Sequence, residues 1–396
     1  MTVHIVGGGL AGLSCALAAA DAGYDVSLHE AAGQAGGRCR SWLEPSLGRV
    51  IDNGTHMVVG ANRAVFAFLR RIGAEQGLAP AAAAAFPMVD LIDGTTWTAT
   101  PARLLPSILS SIWRLDGGIG RSVADGLGTS RNFRRFWDPL TLAVMNTPAE
   151  AASARVFRRV LARTLWRGQA ASRPYLARHS LSEAFVAPAL SALAAAGAEV
   201  RLHHPLRELH RKGGKVVELA FDDQSIRPGR SDMVVLAVPW AAARNFLPEI
   251  PDLPASPIVN AHFRLAVPPE VPGGFLGLLG GSGQWLFVRD DVLSVTVSAA
   301  ADLAEQPVEE ITRRLWADAA KALGLTGEPG AARVIKEKRA TLFHTPSVEA
   351  LRPSPRAGDN LLLAGDWTAT GLPCTLEGAL TSGGIAARLL GRSRDG

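Results

Sequence analysis

The chain is poor in residues that cross-link or clasp a small fold. It has 3 cysteines, Cys15, Cys39 and Cys374, far apart and outside any CxxC pair. That pattern excludes a disulfide framework and a thiolate metal site, and it fits a reducing cytosol. His203, His204 and His210 stand without partners at metal-ligand spacing, so no metal is expected. Tyrosine is scarce, with 2 residues, and no lysine lies between Lys215 and Lys321. Long apolar runs are missing too. The longest uncharged stretch, Val271 to Val288, contains PGGFLGLLGGSG and reads as a hairpin, because so much Gly and Pro does not suit a membrane span. An apolar strand follows Met1 with no basic segment before it, so no signal peptide is expected. Basic stretches such as RNFRRFW are too isolated for a nucleic-acid surface.

What is present suffices for a large core. The chain has 396 residues, 47% of them hydrophobic. That length corresponds to two or three domains of about 150 residues each. The net charge is +5, carried mainly by arginine. It fits an anionic cofactor or an anionic membrane surface, and equally an ordinary solvated face.

The strongest local signal is VHIVGGGLAGLSCALAAADAGYDVSLHEA. A strand at Val3–Val6 is followed by Gly7, Gly9 and Gly12, a helix to about Ala22, a second strand at Val26–His29, and Glu30. Strand, GxGxxG, helix, strand and acid in this order form a dinucleotide fingerprint. Gly7 makes the tight turn, Gly9 lets backbone approach a pyrophosphate, and Gly12 allows close helix–strand packing. The helix N-terminus favours phosphate, and Glu30 is placed to accept from a ribose.

Beyond Glu30 comes AAGQAGGRCRS, with Gly36, Gly37 and Arg38. An acid followed by GGR resembles the N-terminal signature of the flavin-dependent amine oxidase and phytoene desaturase superfamily. The far end agrees: NLLLAGDWTATGLPCTLEGALTSGGIAARLL resembles the superfamily's closing motif. The resemblance implies FAD as cofactor, with Gly37 and Arg38 along the pyrophosphate and Gly365 and Asp366 at the ribityl chain or pyrophosphate. It places the helix start at Glu377 by the flavin ring and Val200 or Leu206 near the adenine. It also implies an α/β fold: a Rossmann-type FAD domain from residues 1–65, 196–250 and 355–396. A substrate domain from 66–195 and 251–354 would add an antiparallel or mixed sheet and a helical lid at about 100–180. FWDPLTLAVMNTPAEAASA, KEKRATLFHTP and IDNGTHMVVGAN are similar to the squalene-associated branch, whose named activity is hydroxysqualene dehydroxylation in hopanoid biosynthesis.

IDNGTHMVVGAN sets Asp52, Asn53, Gly54, Thr55 and His56 between two apolar runs. In the superfamily a turn here passes beside the flavin ring, which makes Asp52, Asn53 and His56 the candidate catalytic residues. The implied reaction removes the hydroxyl of a C30 isoprenoid, hydroxysqualene, and replaces it by hydrogen taken from reduced flavin. Hydroxide leaves poorly, so an acid must protonate it. His56 is the first candidate, Asp52 is read mainly as fixing the loop, and Asn53 is a candidate donor to the hydroxyl. Trp285, Phe287 and Trp367 are candidates for facing a cation, or else plain core.

Carotenoid desaturation and amine oxidation stand as alternatives within the superfamily, and a non-catalytic prenyl carrier as one outside catalysis. The missing lysine and the scarce tyrosine weigh against amine oxidation, and the intact glycine loop weighs against the carrier. No second fingerprint is present, so the electron donor stays open. A C30 substrate dissolves in bilayers. TPARLLPSILSSIWRLDGG, Thr100 to Gly118, is therefore read as an interfacial helix, with Leu105 and Ile112 on its apolar face and Pro106 in its first turn. The expected location is cytoplasmic, peripheral on the inner face of the cytoplasmic membrane.

Overall fold

The computed structural model describes residues 1–115, 120–128, 130 and 133–391. The first half of the fingerprint folds as its pattern predicts, with a strand Thr2–Val6, a helix Leu10–Asp21 and a strand Asp25–His29. These strands join a five-stranded sheet in the order Glu199–Arg201, Asp25–His29, Thr2–Val6, Met233–Leu236, Leu361–Leu363. Every pairing in it is parallel. Met233–Leu236 and the edge strand Leu361–Leu363 are unbroken apolar runs, as a sheet covered on both faces favours, whereas Thr2–Val6 and Asp25–His29 also bury His4, Ser27 and His29. Helices Leu10–Asp21 and Leu376–Leu389 pack together over one face. They touch closely: a Cβ added at Gly383 would lie 2.2 Å from the Ala11 carbonyl oxygen.

A second, seven-stranded sheet runs Ala332–Leu342, Ala255–Arg264, Val292–Ser298, Trp285–Arg289, Phe275–Leu279, Phe86–Asp90, Thr96–Ala99. Only the Phe275–Leu279 and Phe86–Asp90 pair is parallel, so the sheet is mixed. The hairpin read from PGGFLGLLGGSG is its turn between Phe275–Leu279 and Trp285–Arg289. Helix Val308–Leu323 buries Ile311, Leu315 and Trp316 against one face of this sheet. The strands of the parallel sheet come from residues 1–65, 196–250 and 355–396, and those of the mixed sheet from 66–195 and 251–354.

Between the strands of the mixed sheet lies a helical segment with Pro101–Arg114, Asp138–Met145 and Ala154–Arg163, whose core is built on Trp137, Phe157 and Leu161. Two details differ from the sequence reading. A strand, Pro174–Ala177, interrupts the region expected to be helical and joins Met57–Val59 and Leu78–Pro80. Pro174 lacks the N–H a helix needs there, and the pairing partners supply the alternative. Pro106 is not in the first turn. Pro101 takes that place behind the cap Thr100, whose hydroxyl accepts from the Arg103 N–H at 3.3 Å, and Pro106 falls in the second turn. Among the described residues no helix is long and apolar enough to cross a membrane.

Candidate active site

The glycine loop is rigid where it must be and open where it can be. Gly7 has φ +110°, and a Cβ there would meet the Ala237 carbonyl oxygen at 2.5 Å. A Cβ at Gly12 would lie 1.9 Å from the Gly7 carbonyl oxygen. Gly9, at the cap of the helix, would place its Cβ in open space, with no atom within 4 Å. Glu30 ties the loop together: one carboxylate oxygen accepts from the Gly8 N–H at 2.7 Å and the other from the Ala32 N–H at 2.8 Å. The GGR turn lies directly alongside. The Gly36 N–H donates to the Gly8 carbonyl at 2.8 Å, and a Cβ at Gly37, whose φ is +58°, would stand 3.4 Å from the Gly9 Cα. Two glycine turns, one helix N-terminus and an unobstructed Gly9 form a cradle that a pyrophosphate fits.

Arg38 reaches across from this cradle to the closing motif. Its guanidinium holds both oxygens of Asp366 at 2.7 Å and also contacts the Ala340 carbonyl oxygen. Gly365 is held by the Ser382 hydroxyl at 2.9 Å, and a Cβ on it would strike the Trp367 indole at 2.3 Å. Thr375 caps helix Leu376–Leu389 through the Gly378 N–H at 3.2 Å. The Glu377 side chain turns toward another helix instead, accepting from the Ala64 and Val65 N–H groups at the start of Arg63–Arg71. Burial raises its pKa, and these two donors partly offset the rise. Leu206 begins the strand Leu206–Lys212 and is buried with Phe221.

The polar turn opens onto a cavity of about 510 Å³. Asp52 is buried and fully engaged: it accepts from the Ser41 hydroxyl at 2.6 Å and the Leu181 N–H at 2.9 Å, and pairs with Arg289 at 2.7 Å. That arrangement fits the loop-fixing role. Asn53 donates to Glu337 at 3.4 Å, and its carbonyl accepts from Asn260. A Cβ at Gly54 would lie 2.8 Å from the Asn260 amide nitrogen, so a larger residue there would have to push the Asn260 side chain aside. Thr55 and half-buried His56 line the cavity. His56 Nδ1 donates to the Gly54 carbonyl at 2.6 Å, which fixes the tautomer and leaves Nε2 as the exchangeable nitrogen. Burial pulls the His56 pKa below the usual imidazole value, against the opposing pull of the Gly54 carbonyl and Asp52.

The aromatic candidates separate. Phe287 lines the cavity. Trp367 is core, 1% exposed, with its indole N–H donated to the Val238 carbonyl at 2.9 Å. Trp285 packs near Phe275. Cys374 is buried, and burial raises its thiol pKa. His204 pairs with His29 at 2.9 Å and Asp223 at 2.8 Å, and His210 with Glu208 at 2.9 Å.

The sequence reading missed two groups. One is the buried triad His344, Glu349 and Arg352. Arg352 binds the carbonyls of Asp366 and Leu372, and His344 Nε2 accepts the Cys374 N–H at 2.9 Å, so the triad anchors the closing loop. The other is a set of polar side chains on the inner face of the mixed sheet, Asn260, His262, Ser294 and Thr296. The signal for it was present in PIVNAHFRLAV, where Asn260 and His262 sit two apart in an apolar strand and so share a face.

Residues 10–390 match the family model described as flavin containing amine oxidoreductase. The chain is 40% identical to "Hydroxysqualene dehydroxylase" of Sinorhizobium fredii, over 98% of this chain and 97% of that one. It is 37% identical to the protein of the same name from Rhodopseudomonas palustris, over 98% of each. Among solved structures, cyclohexylamine oxidase from Brevibacterium oxydans superposes with a TM-score of 0.73 at 18% identity, covering 98% of both chains.

Proposed function

Because this chain belongs to the flavin-containing amine oxidoreductase family, we propose that it is an FAD-dependent hydroxysqualene dehydroxylase, replacing the hydroxyl of a C30 isoprenoid alcohol by hydrogen. The observation that carries the reading is the setting of His56. His56, held in a fixed tautomer, stands in the wall of a cavity where apolar residues such as Ala79, Pro80, Leu176, Phe287 and Val292 meet polar ones that include Arg178, His179 and Arg289. A volume of about 510 Å³ lies within the range of small-molecule pockets, and the mixed lining suits a hydrocarbon that carries one polar group.

In this reading the parallel sheet is the cofactor domain and the mixed sheet with its helices the substrate domain. The loop at Gly7, Gly9 and Gly12, with Gly37, would hold the pyrophosphate, Glu30 the ribose, and Leu206 the adenine side. Arg38 and Asp366, already paired, would present remaining donor and acceptor positions to the pyrophosphate and ribityl chain, with Gly54 and the helix start at Glu377 nearer the ring. Reduced flavin, when bound, supplies the hydride that replaces the hydroxyl. The protein must do the rest. His56, protonated at Nε2, donates to the departing oxygen, and its lowered pKa makes the imidazolium a stronger acid. The apolar part of the lining, Ala79, Pro80, Leu176, Phe287 and Val292, limits the access of water to the cation left behind. Asp52 holds the turn through Arg289, Ser41 and Leu181. The direct test is anaerobic. Photoreduced protein mixed with hydroxysqualene is expected to yield squalene and oxidised flavin in equal amounts, and reduced flavin that persists beside intact substrate would overturn the reading.

The proposal extends to a bilayer surface. On helix Pro101–Arg114, Ile108 and Ser111 are buried, whereas Leu109 and Trp113 are 53% and 81% exposed, with Arg103 and Arg114 beside them. The side chains of Leu105 and Ile112 lie outside the described residues, as do Asp116 to Gly118. An exposed Leu and Trp four apart, flanked by arginines, suit the interface of an anionic membrane. Leu109→Glu with Trp113→Glu is expected to cut sedimentation with anionic liposomes by about tenfold or more while the flavin is retained. Unchanged sedimentation would remove this helix as the contact.

A further inference from the structure

We infer that the cavity carries a second polar subsite, one that takes the oxygen of an alcohol, formed by Ser294 and oriented from behind by His262. The inference rests on the dehydroxylase reading and names the group that would tell substrate from product.

Strands Ala255–Arg264 and Val292–Ser298 are antiparallel, and His262 stands directly opposite Ser294. Alternation along the strands sends Val259, Ala261, Phe263, Leu293, Val295 and Val297 into the apolar core on one side. His262 and Ser294 therefore share the other side, and Ser294 forms part of the cavity wall together with Thr55 and His56. His262 does not reach the cavity. It is 1% exposed, its Nδ1 lies 2.8 Å from the Ser294 hydroxyl, and its Nε2 makes no hydrogen bond. A buried histidine with an unpartnered nitrogen is costly, and apolar residues would fill the same sheet face without that cost.

The ring is neutral at ordinary pH, because burial takes its pKa down to about 4. It carries one N–H and one lone pair. The Asp52 backbone carbonyl pulls on the ring's protonated form, though Nε2 still forms no hydrogen bond, and this favours the N–H on Nε2. That leaves the Nδ1 lone pair to accept the Ser294 O–H. The hydroxyl hydrogen of Ser294 is then committed to His262, and its oxygen lone pairs face the cavity as an acceptor. An alcohol entering the cavity donates its O–H to Ser294. Its own lone pairs are left free for a proton donor, which is the orientation needed for the C–O bond to break with proton transfer to oxygen. The hydrocarbon product has no O–H. It leaves Ser294 without a partner and so binds less well, which helps it to depart.

The test is a pair of binding titrations on the oxidised, FAD-loaded protein, read from flavin spectral shifts and independent of turnover. Hydroxysqualene and squalene are titrated in detergent micelles of fixed composition. Ser294→Ala is expected to weaken hydroxysqualene by about tenfold, the size of one hydrogen bond, and to leave squalene unchanged. Ser294→Thr, which keeps the hydroxyl, restores the preference. His262→Asn lowers the preference for the alcohol through Ser294 while squalene affinity holds, as a positioning residue should. Equal weakening of both ligands would make Ser294 a packing residue, and an unchanged ratio would show that the alcohol is read elsewhere. Either result overturns the subsite. Failure of the parent protein to convert hydroxysqualene would instead sink the dehydroxylase reading, because the binding ratio is measured without turnover.

Discussion

Gly9→Val is expected to give a folded, colourless protein. Backbone strain does not require glycine at this position, since φ −72° and ψ 175° are open to any residue. Protein contacts do not require it either, because an added Cβ meets no atom within 4 Å. A poorer helix cap costs about 1 kcal/mol, which a chain of this size tolerates. What remains is the cofactor itself, whose pyrophosphate, in the proposed reading, comes against the Gly9 backbone. A valine side chain there should raise the FAD dissociation constant on the order of 10²-fold or more, seen as a collapse of the flavin-to-protein absorbance ratio. Gly12→Ala makes the contrast. Its Cβ would lie 1.9 Å from the Gly7 carbonyl oxygen, so it should lose both flavin and melting temperature. Normal FAD occupancy in Gly9→Val would remove this loop from the cofactor site.

His56→Phe should keep its flavin and slow single turnover with hydroxysqualene by about 10²-fold or more, the usual worth of a positioned acid. Asp52 is held by three other partners and does not need His56, so the turn should survive. The pH dependence gives an independent reading. Burial places the His56 pKa below its ordinary value of 6.5. The acidic form is thus scarce at neutral pH and grows as pH falls toward that lowered pKa. The rate should climb as pH drops below about 6.5, and the climb should vanish in His56→Phe. A parent profile that is flat over this range, or a variant at full rate, would return His56 to a structural role.

The first strand, helix and strand of the parallel sheet were legible because their demands are local. Strand, glycine turn, helix and acid are consecutive, and each glycine position follows from a contact a side chain could not make. The polar turn was legible for a similar reason: Asp, Asn, Thr and His between apolar runs break a pattern. The sequence could not show that Asp52 meets Arg289 or that Arg38 meets Asp366, because those partners lie 237 and 328 residues away. His262 and Ser294 were hidden for another reason. On a strand, two polar residues do not reveal which face they occupy until the neighbouring strand fixes the register. Pro174–Ala177 was hidden among alanine-rich helices because its pairing partners, Met57–Val59 and Leu78–Pro80, come about a hundred residues earlier.

Strand Leu361–Leu363 stands beside Met233–Leu236, itself next to the opening strand Thr2–Val6, and helix Leu376–Leu389 covers helix Leu10–Asp21. During synthesis strand Thr2–Val6 leaves the ribosome well before Met233–Leu236, Leu361–Leu363 and Leu376–Leu389, which complete its layer. Until then Leu10–Asp21 has part of its buried face uncovered, and Arg38 lacks Asp366. Such distant pairings close slowly, because a long loop must be ordered before any contact rewards it. The Arg38–Asp366 pair can form only once the segment that carries Leu361–Leu363 and Leu376–Leu389 has packed onto Thr2–Val6 and Leu10–Asp21.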